Sequence, residues 1–277
     1  MTLNDDEGRE RLEIELLLEA IHRRHGYDFR GYAPASLRRR LWHRVYGEGL
    51  ETLSGLQERI LHEPGCMDRL LRDLSINVTA MFRDPTFYVA LRERVFPLLR
   101  THPFIRVWQA GCSTGEEIYS LAIALREEGL LERTRIYATD INNAALERAG
   151  SGAFPLERMQ RYTENYLRAG GTEAFSSYYT ADGESARFDP ALGRSVVLAQ
   201  HNLVTDGSFN EFHLIVCRNV MIYFGSALQE EVLQLFGDSM TRFGILALGR
   251  KESIRRSRHA EEYEPLDEAE KIFRRRL

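Results

Sequence analysis

The sequence predicts an α/β fold with a doubly wound sheet behind an all-helical N-terminal segment. Three observations predict it. From Ile105 onward, short β-rich runs alternate with segments of helical period. Across roughly the first 80 residues apolar positions recur only at helical spacing. A glycine-bounded turn, AGCSTGEE at 110–117, joins the first β-rich run to the helix after it.

The helical segment is read from Leu12, Leu16, Leu17, Ala20 and Ile21, then from Pro34 and Ser36 opening a basic helix over 37–46, then from apolar repeats at 50–61 and 67–74. IRVWQAG is the first strand, followed by a helix to about Glu128, and RIYATD is the second, ending in Asp140: a βαβ unit. A helix is expected over 142–149, strands at FHLIVCRN (212–219) and GILALG (244–249), a helix over 226–241, and a last strand at KIFRRR. Between Phe175 and Gln200, runs around a DG turn suggest a small β insertion. The domains expected are 1–80, helical, and 81–277, α/β, with the insertion at about 172–200.

At 277 residues, 43% hydrophobic and 28% charged, the chain has length for one large domain or two unequal ones. The acidic N-terminus MTLNDDEGRE is unlike a signal peptide, and no run of roughly 18 apolar residues occurs. A cytoplasmic location without membrane insertion is therefore expected. Cys66, Cys112 and Cys217 form no CxxC pair, so neither a disulfide framework nor a metal site is indicated, and buried packing is their expected role. The net charge is −4, yet the segment around the second helix carries Arg30, Arg38, Arg39, Arg40 and Arg44 with no acid from Phe29 to Gly47. Such a face meets an acidic partner or is simply a solvated helix face, and composition does not separate the two.

In the opening turn, Gly111 and Gly115 let backbone approach a ligand at the strand ends. The spacing is neither GxGxxG nor a Walker motif, and Glu116-Glu117 disfavours a pyrophosphate while attracting a cation. Asp140, closing the second strand, suits ribose hydroxyls. A cationic, ribose-bearing, phosphate-free ligand describes S-adenosylmethionine. The bland alternative is an acidic pair favoured by a helix N-terminus.

GCSTGEEIYSLA, together with INVTAMFRDPTFY at 76–88, ATDIN at 138–142, HNL at 201–203 and CRNVMIYF at 217–224, resembles the CheR-type chemoreceptor glutamate O-methyltransferases. The motifs are collinear over nearly the whole chain. The resemblance implies a Rossmann-like class I methyltransferase domain with an inserted antiparallel β-subdomain and a small helical N-terminal domain. It implies S-adenosylmethionine as cofactor, S-adenosylhomocysteine as product, and cofactor contacts from Asn77, Thr79, Arg83, Gly111, Glu117, Asp140, Asn202, Leu203, Arg218 and Asn219. Asn202 would read the adenine edge, though an asparagine after a strand is commonly a turn residue. Arg83, Arg218 and Tyr223 are the candidates for orienting the acceptor carboxylate. Arg38, Arg39, Arg40 and Arg44 would face the cytoplasmic helical domain of a chemoreceptor. Nothing requires more than a monomer.

Two features depart from that pattern. After GILALG the chain reads GRKESIRRSRHAEE, where relatives carry a shorter GHSES-like turn, and the β insertion has no readable tether for a receptor terminus. Two rival readings stand beside it. An amino-methylating nucleic-acid enzyme would usually show a D/N-PP-Y/F loop after the fourth strand, where this chain reads CRNVMIYF without the prolines, so no nucleic-acid partner is expected. A non-catalytic scaffold would have dispensed with Glu117, Asp140 or Arg83, all of which are present. A methyltransferase of this fold acting on another substrate stays open.

Overall fold

A computed structural model describes residues 3–75 and 79–276. The chain divides into two compact units: Met1–Ile76 with Tyr223–Val232, and Asn77–Ile222 with Leu233–Leu277. The expected boundary at residue 80 thus misses a returning segment, 223–232, that belongs with the helices. Among the described residues no helix is long and apolar enough to cross a membrane.

The helical unit contains α1 (Leu3–His25), α2 (Pro34–Gly47), α3 (Leu53–His62) and α4 (Cys66–Leu74). Their spacing buries Leu17, Ile21, Leu37, Leu41, Val45, Leu56, Ile60 and Leu70 against one another. Pro34 opens α2 at its first turn, and the Thr52 hydroxyl caps α3 by accepting the Gly55 N–H at 3.0 Å. Glu48, just past α2, accepts hydrogen bonds from Arg44, Arg59 and Arg69 at 2.7–3.0 Å.

The second unit begins with α5 (Pro85–Ala90), which runs through a π-helical turn at Leu91–Val95 into α6 (Phe96–Leu99). Then come β1 (Ile105–Ala110), α7 (Glu116–Glu127), β2 (Thr134–Asp140), α8 (Asn143–Ser151), β3 (Ala153–Pro155), α9 (Met159–Arg168), β4 (Tyr179–Asp182), β5 (Ser185–Phe188), α10 (Pro190–Gly193), β6 (Val196–Gln200), β7 (Phe212–Cys217), α11 (Ser226–Asp238), β8 (Met240–Leu248), β9 (Tyr263–Asp267) and β10 (Ile272–Arg275). Helix α11 crosses the division between the units.

The main sheet has the order β6-β2-β1-β7-β8-β10-β9. Its first five strands are parallel, and β10 is antiparallel to both neighbours. The central strands β1 and β7 are buried over most of their length, Gln109 included. Trp108 is fully buried with Phe212 and Phe236, and its indole N–H donates to the Thr139 hydroxyl at 2.9 Å.

The three-stranded antiparallel sheet β3-β5-β4 is the inserted subdomain. It starts at Ala153 and not near 172, and the expected insertion boundary at 200 is also wrong, since β6 (196–200) is the edge strand of the main sheet. The run RSVVLAQ carries the β-branched signal common to both sheets, and only its pairing with β2 decides between them.

Three guanidinium groups, with Arg69 the largest influence, hold Glu48 at a pKa of about 2, below the ordinary 4.5. A carboxyl depressed on folding contributes stability above its unfolded pKa and loses it as pH falls through the folded one. Glu48→Gln is expected to lower Tm by several degrees at pH 7, with the difference from wild type shrinking between pH 4.5 and about 2. Thermal melts across pH check this, and an equal gap at both ends contradicts it.

Candidate active site

Strand order reverses between β1 and β7: β2 flanks β1 on one side and β7 on the other. At such a reversal a crevice opens outside the carboxyl ends of the strands, and ligands bind there. The residues that follow β1, β2 and β7 in sequence build this one.

Gly111 ends β1 at φ +72°, and a Cβ there would lie 2.4 Å from Val220 Cγ2. Gly115 sits at φ +96°, and its Cβ would lie 2.9 Å from the Ala149 backbone. Both positions therefore need glycine. Between them Ser113, at φ +51°, donates its N–H to Asp140 Oδ2 at 2.8 Å, and Asn142 N–H donates to Asp140 Oδ1 at 2.9 Å. Burial pushes the Asp140 carboxyl above its ordinary range, against the pull of these backbone donors.

Glu117 lies in the first turn of α7. Its Oε2 accepts from Gln109 Nε2 at 2.7 Å, and its Oε1 pairs with Arg218 Nη1. The Arg218 side chain is 1% exposed; its Nη2 donates to Asp84 Oδ2 at 2.7 Å, both Nη atoms reach the Arg83 carbonyl at 3.3 Å, and the guanidinium lies 4.0 Å from the Phe87 ring centroid. Burial disfavours this charge, but Glu117, Tyr88 and Asp84 outweigh it and hold the guanidinium protonated.

Asn219, at φ +62°, donates its N–H to Glu252 Oε2 at 3.0 Å, and the same oxygen accepts from Gly249 N–H at 2.5 Å. Glu252 Oε1 accepts from Val220 N–H at 2.9 Å and Ile222 N–H at 3.3 Å. One buried carboxylate thus gathers four backbone donors from two loops. Among the described residues, six non-glycine residues have positive φ, and three of them, Asp84, Ser113 and Asn219, belong to the segments joined here.

The donor set fits the ligand read from the sequence. Among the described residues Gln109 Oε1 is buried without a hydrogen-bond partner, beside the Glu117 carboxylate. Two acceptors at one point suit an ammonium group, and Asp140 suits a ribose.

Residues 77–269 match the family described as the CheR methyltransferase SAM-binding domain, and residues 12–75 match the CheR all-alpha domain. The chain belongs to the CheR methyltransferase family. Its cofactor is S-adenosylmethionine. The chain is 51% identical to a Pseudomonas putida protein named "Putative methyltransferase Cher3", over 95% of this chain and 97% of that one. It is 31% identical to a chemotaxis protein methyltransferase of Listeria innocua, over 83% and 85%. The Salmonella typhimurium chemotaxis protein methyltransferase is 32% identical over 65% of this chain and 62% of its own length.

Against the CheR pattern, the structure brings together Gly111, Glu117, Asp140, Arg218, Asn219 and the Arg83 carbonyl. Thr79 is half-buried ahead of α5, and Asn77 lies outside the described residues. Asn202 and Leu203 follow β6, and Asn202 Oδ1 closes a turn by accepting Val204 N–H at 3.0 Å.

Arg218, Arg40 and Arg44 depart from expectation. Arg218 does not present itself to an acceptor: both Nη groups are spent on Glu117, Asp84 and the Arg83 carbonyl and its Nε is buried, so it positions other groups. Tyr223 belongs with the helical unit, its ring 4.2 Å from the Arg40 guanidinium. Arg40 is itself 5% exposed and donates to the Leu74 carbonyl, while Arg44 is bound to Asp73 and Glu48; both face inward. Of the basic helix, Arg38 and Arg39 are exposed, and Arg38 pairs with Glu10.

Gln109, Asp84, Phe87 and Glu252 were missed. A lone glutamine inside the run IRVWQAG was the available signal for the first. Glu252 stands in the segment that departs from the family pattern, where a single glutamate among arginines carries no signal.

Glu252→Gln puts an amide NH2 against two backbone N–H groups whichever way it turns. A loss of about 1–3 kcal/mol is expected, with weaker S-adenosylhomocysteine binding. Thermal melting and calorimetric titration check this; unchanged values for both contradict it.

Proposed function

We propose that this chain transfers the methyl group of S-adenosylmethionine to glutamate side chains of chemoreceptors, yielding glutamate 5-O-methyl esters and S-adenosylhomocysteine in chemosensory adaptation. The observation that carries the reading is the chemical character of the crevice. Among the described residues, the side chains joined there are Gln109, Glu117, Arg218 and Asp84, with Asp140 across the turn. None is a histidine poised near neutrality, and the Glu117, Asp84 and Asp140 carboxylates are all engaged with protein donors. Burial pushes the Cys112 and Cys217 thiols and the Tyr88 phenol well up, so none of these serves as a base either.

A crevice without a base suits an acceptor that is already ionised. A glutamate, with a pKa of about 4.3, is ionised at pH 7, whereas an amine near 10.4 or a hydroxyl must first lose a proton. When bound, the cofactor supplies a sulfonium-activated methyl group. The work left to the chain is binding, alignment and exclusion of water. Glu117 and Gln109 hold the ammonium, Asp140 the ribose and Asn202 the adenine edge. Arg218 keeps Glu117 in place, and Arg83 is the cation offered to the acceptor carboxylate. Arg38 and Arg39 are the part of α2 able to meet an acidic receptor surface. The relatives named as chemotaxis protein methyltransferases support the pathway.

Calorimetric titration of S-adenosylhomocysteine into wild type and Asp140→Ala, followed by tritiated methyl transfer onto membranes carrying the native receptors, tests the reading. Affinity reduced at least about tenfold in the variant and base-labile label on a receptor band are expected. Binding without label points to a scaffold or another substrate. For the wild type, kcat/KM is expected to stay flat from about pH 6 to about pH 9. A rise with a midpoint near neutrality in that profile reveals a general base and contradicts the proposed chemistry.

A further inference from the structure

We propose that the arginine-rich loop between β8 and β9 is a docking surface for an acidic polypeptide segment flanking the acceptor glutamate. The inference rests on the proposed function and adds to it a second element of substrate recognition, separate from α2.

The first argument is position. Strand β8 runs parallel to β7, so its carboxyl end lies at the same edge of the sheet as Arg218 and Asn219. Glu252 fastens the loop there through backbone N–H groups on both sides, Gly249 from the loop and Asn219, Val220 and Ile222 from the site. Ile254, 2% exposed, anchors the next turn. Arg250 then spans to Glu270 and to the Thr86 hydroxyl, two residues from the Asp84 that grips Arg218. The loop is thereby tied to both segments that border the crevice.

The second argument is charge. Residues 250–258, RKESIRRSR, hold five cations and one acid, Glu252, which is buried. Lys251, Arg255, Arg256 and Arg258 are exposed. Arg255 pairs with Glu268, while Lys251 and Arg256 carry no ion pair among the described residues. On a chain of net charge −4 this is a local reversal of sign beside the site. Exposed arginines held on an anchored loop favour carboxylates. Glu261, Glu262 and Glu268 interrupt the cationic surface, which suits the spaced carboxylates of a polypeptide better than a continuous phosphate backbone.

The test uses the full chain and a fluorescein-labelled helical peptide of glutamate, glutamine and alanine, with fluorescence anisotropy at low and high salt. Wild type is expected to bind with a salt-sensitive Kd, and Lys251→Glu/Arg256→Glu to bind at least about tenfold more weakly. S-adenosylhomocysteine affinity and thermal melt should be unchanged in that variant. Arg161→Glu/Arg168→Glu, an equal charge change at exposed positions of α9, should bind the peptide as wild type does. Equal binding by wild type and the loop variant, no binding by wild type, or tighter binding of a DNA duplex overturns the proposal. Tritiated methyl transfer to the same peptide separates the two ideas. Binding lost in the loop variant with no label on the peptide keeps the docking surface and counts against glutamate methylation; label transferred equally by both proteins does the reverse.

Discussion

A guanidinium taken out of water constrains the rest of the site. Arg218 is almost fully buried, and a buried cation persists only where acids and carbonyls replace its hydration. Here Glu117, Asp84 and the Arg83 carbonyl do so, with the Phe87 face beneath. These partners come from two places in the chain, the helix after β1 and the turn that leads into α5, while Arg218 itself follows β7. Satisfying one cation therefore fixes the relative placement of three segments, and Glu117 is left aimed where a ligand ammonium is needed. Removing the charge would leave Glu117 and Asp84 without the cation they share.

The neighbouring loops are governed by the same chemistry with the sign reversed. Asp140 and Glu252 are buried carboxylates that spend their oxygens on backbone N–H groups, one closing the turn after β1 and the other closing the loops after β7 and β8. Burial raises both carboxyls above the usual range even so. Left-handed backbone at Ser113 and Asn219 is held by these bonds, through Ser113 N–H on Asp140 and Asn219 N–H on Glu252. The outcome is a polar site whose groups are placed before any ligand arrives, on strands made rigid by the aromatic packing around Trp108.

Much of this was legible in the sequence. Period-2 and period-3.6 patterns located four of the central strands and the helices between them, and the glycine turn with Asp140 pointed to a cationic ribose-bearing ligand. What was not legible depended on pairing between distant segments. β6 read as part of the insertion because a short β-branched run does not say which sheet it joins. The arginines of α2 read as one exposed face, yet Arg40 and Arg44 turn inward to the Leu74 carbonyl and to Asp73 and Glu48, partners about thirty residues on or just past the helix. Arg218 was expected to touch substrate, and only the positions of Glu117, Asp84 and the Arg83 carbonyl reveal that both of its Nη groups are already taken. Glu252 escaped notice because a single glutamate in a basic loop carries no pattern.

The account turns on the forked geometry of Arg218, and Arg218→Lys tests it most directly. The variant keeps a positive charge but has no planar fork to span Glu117, Asp84 and the Arg83 carbonyl. Calorimetric titration of S-adenosylhomocysteine into this variant is predicted to show affinity reduced at least about tenfold, with cooperative thermal unfolding retained. Wild-type affinity in a folded Arg218→Lys protein would contradict the claim that this buried cation sets the site.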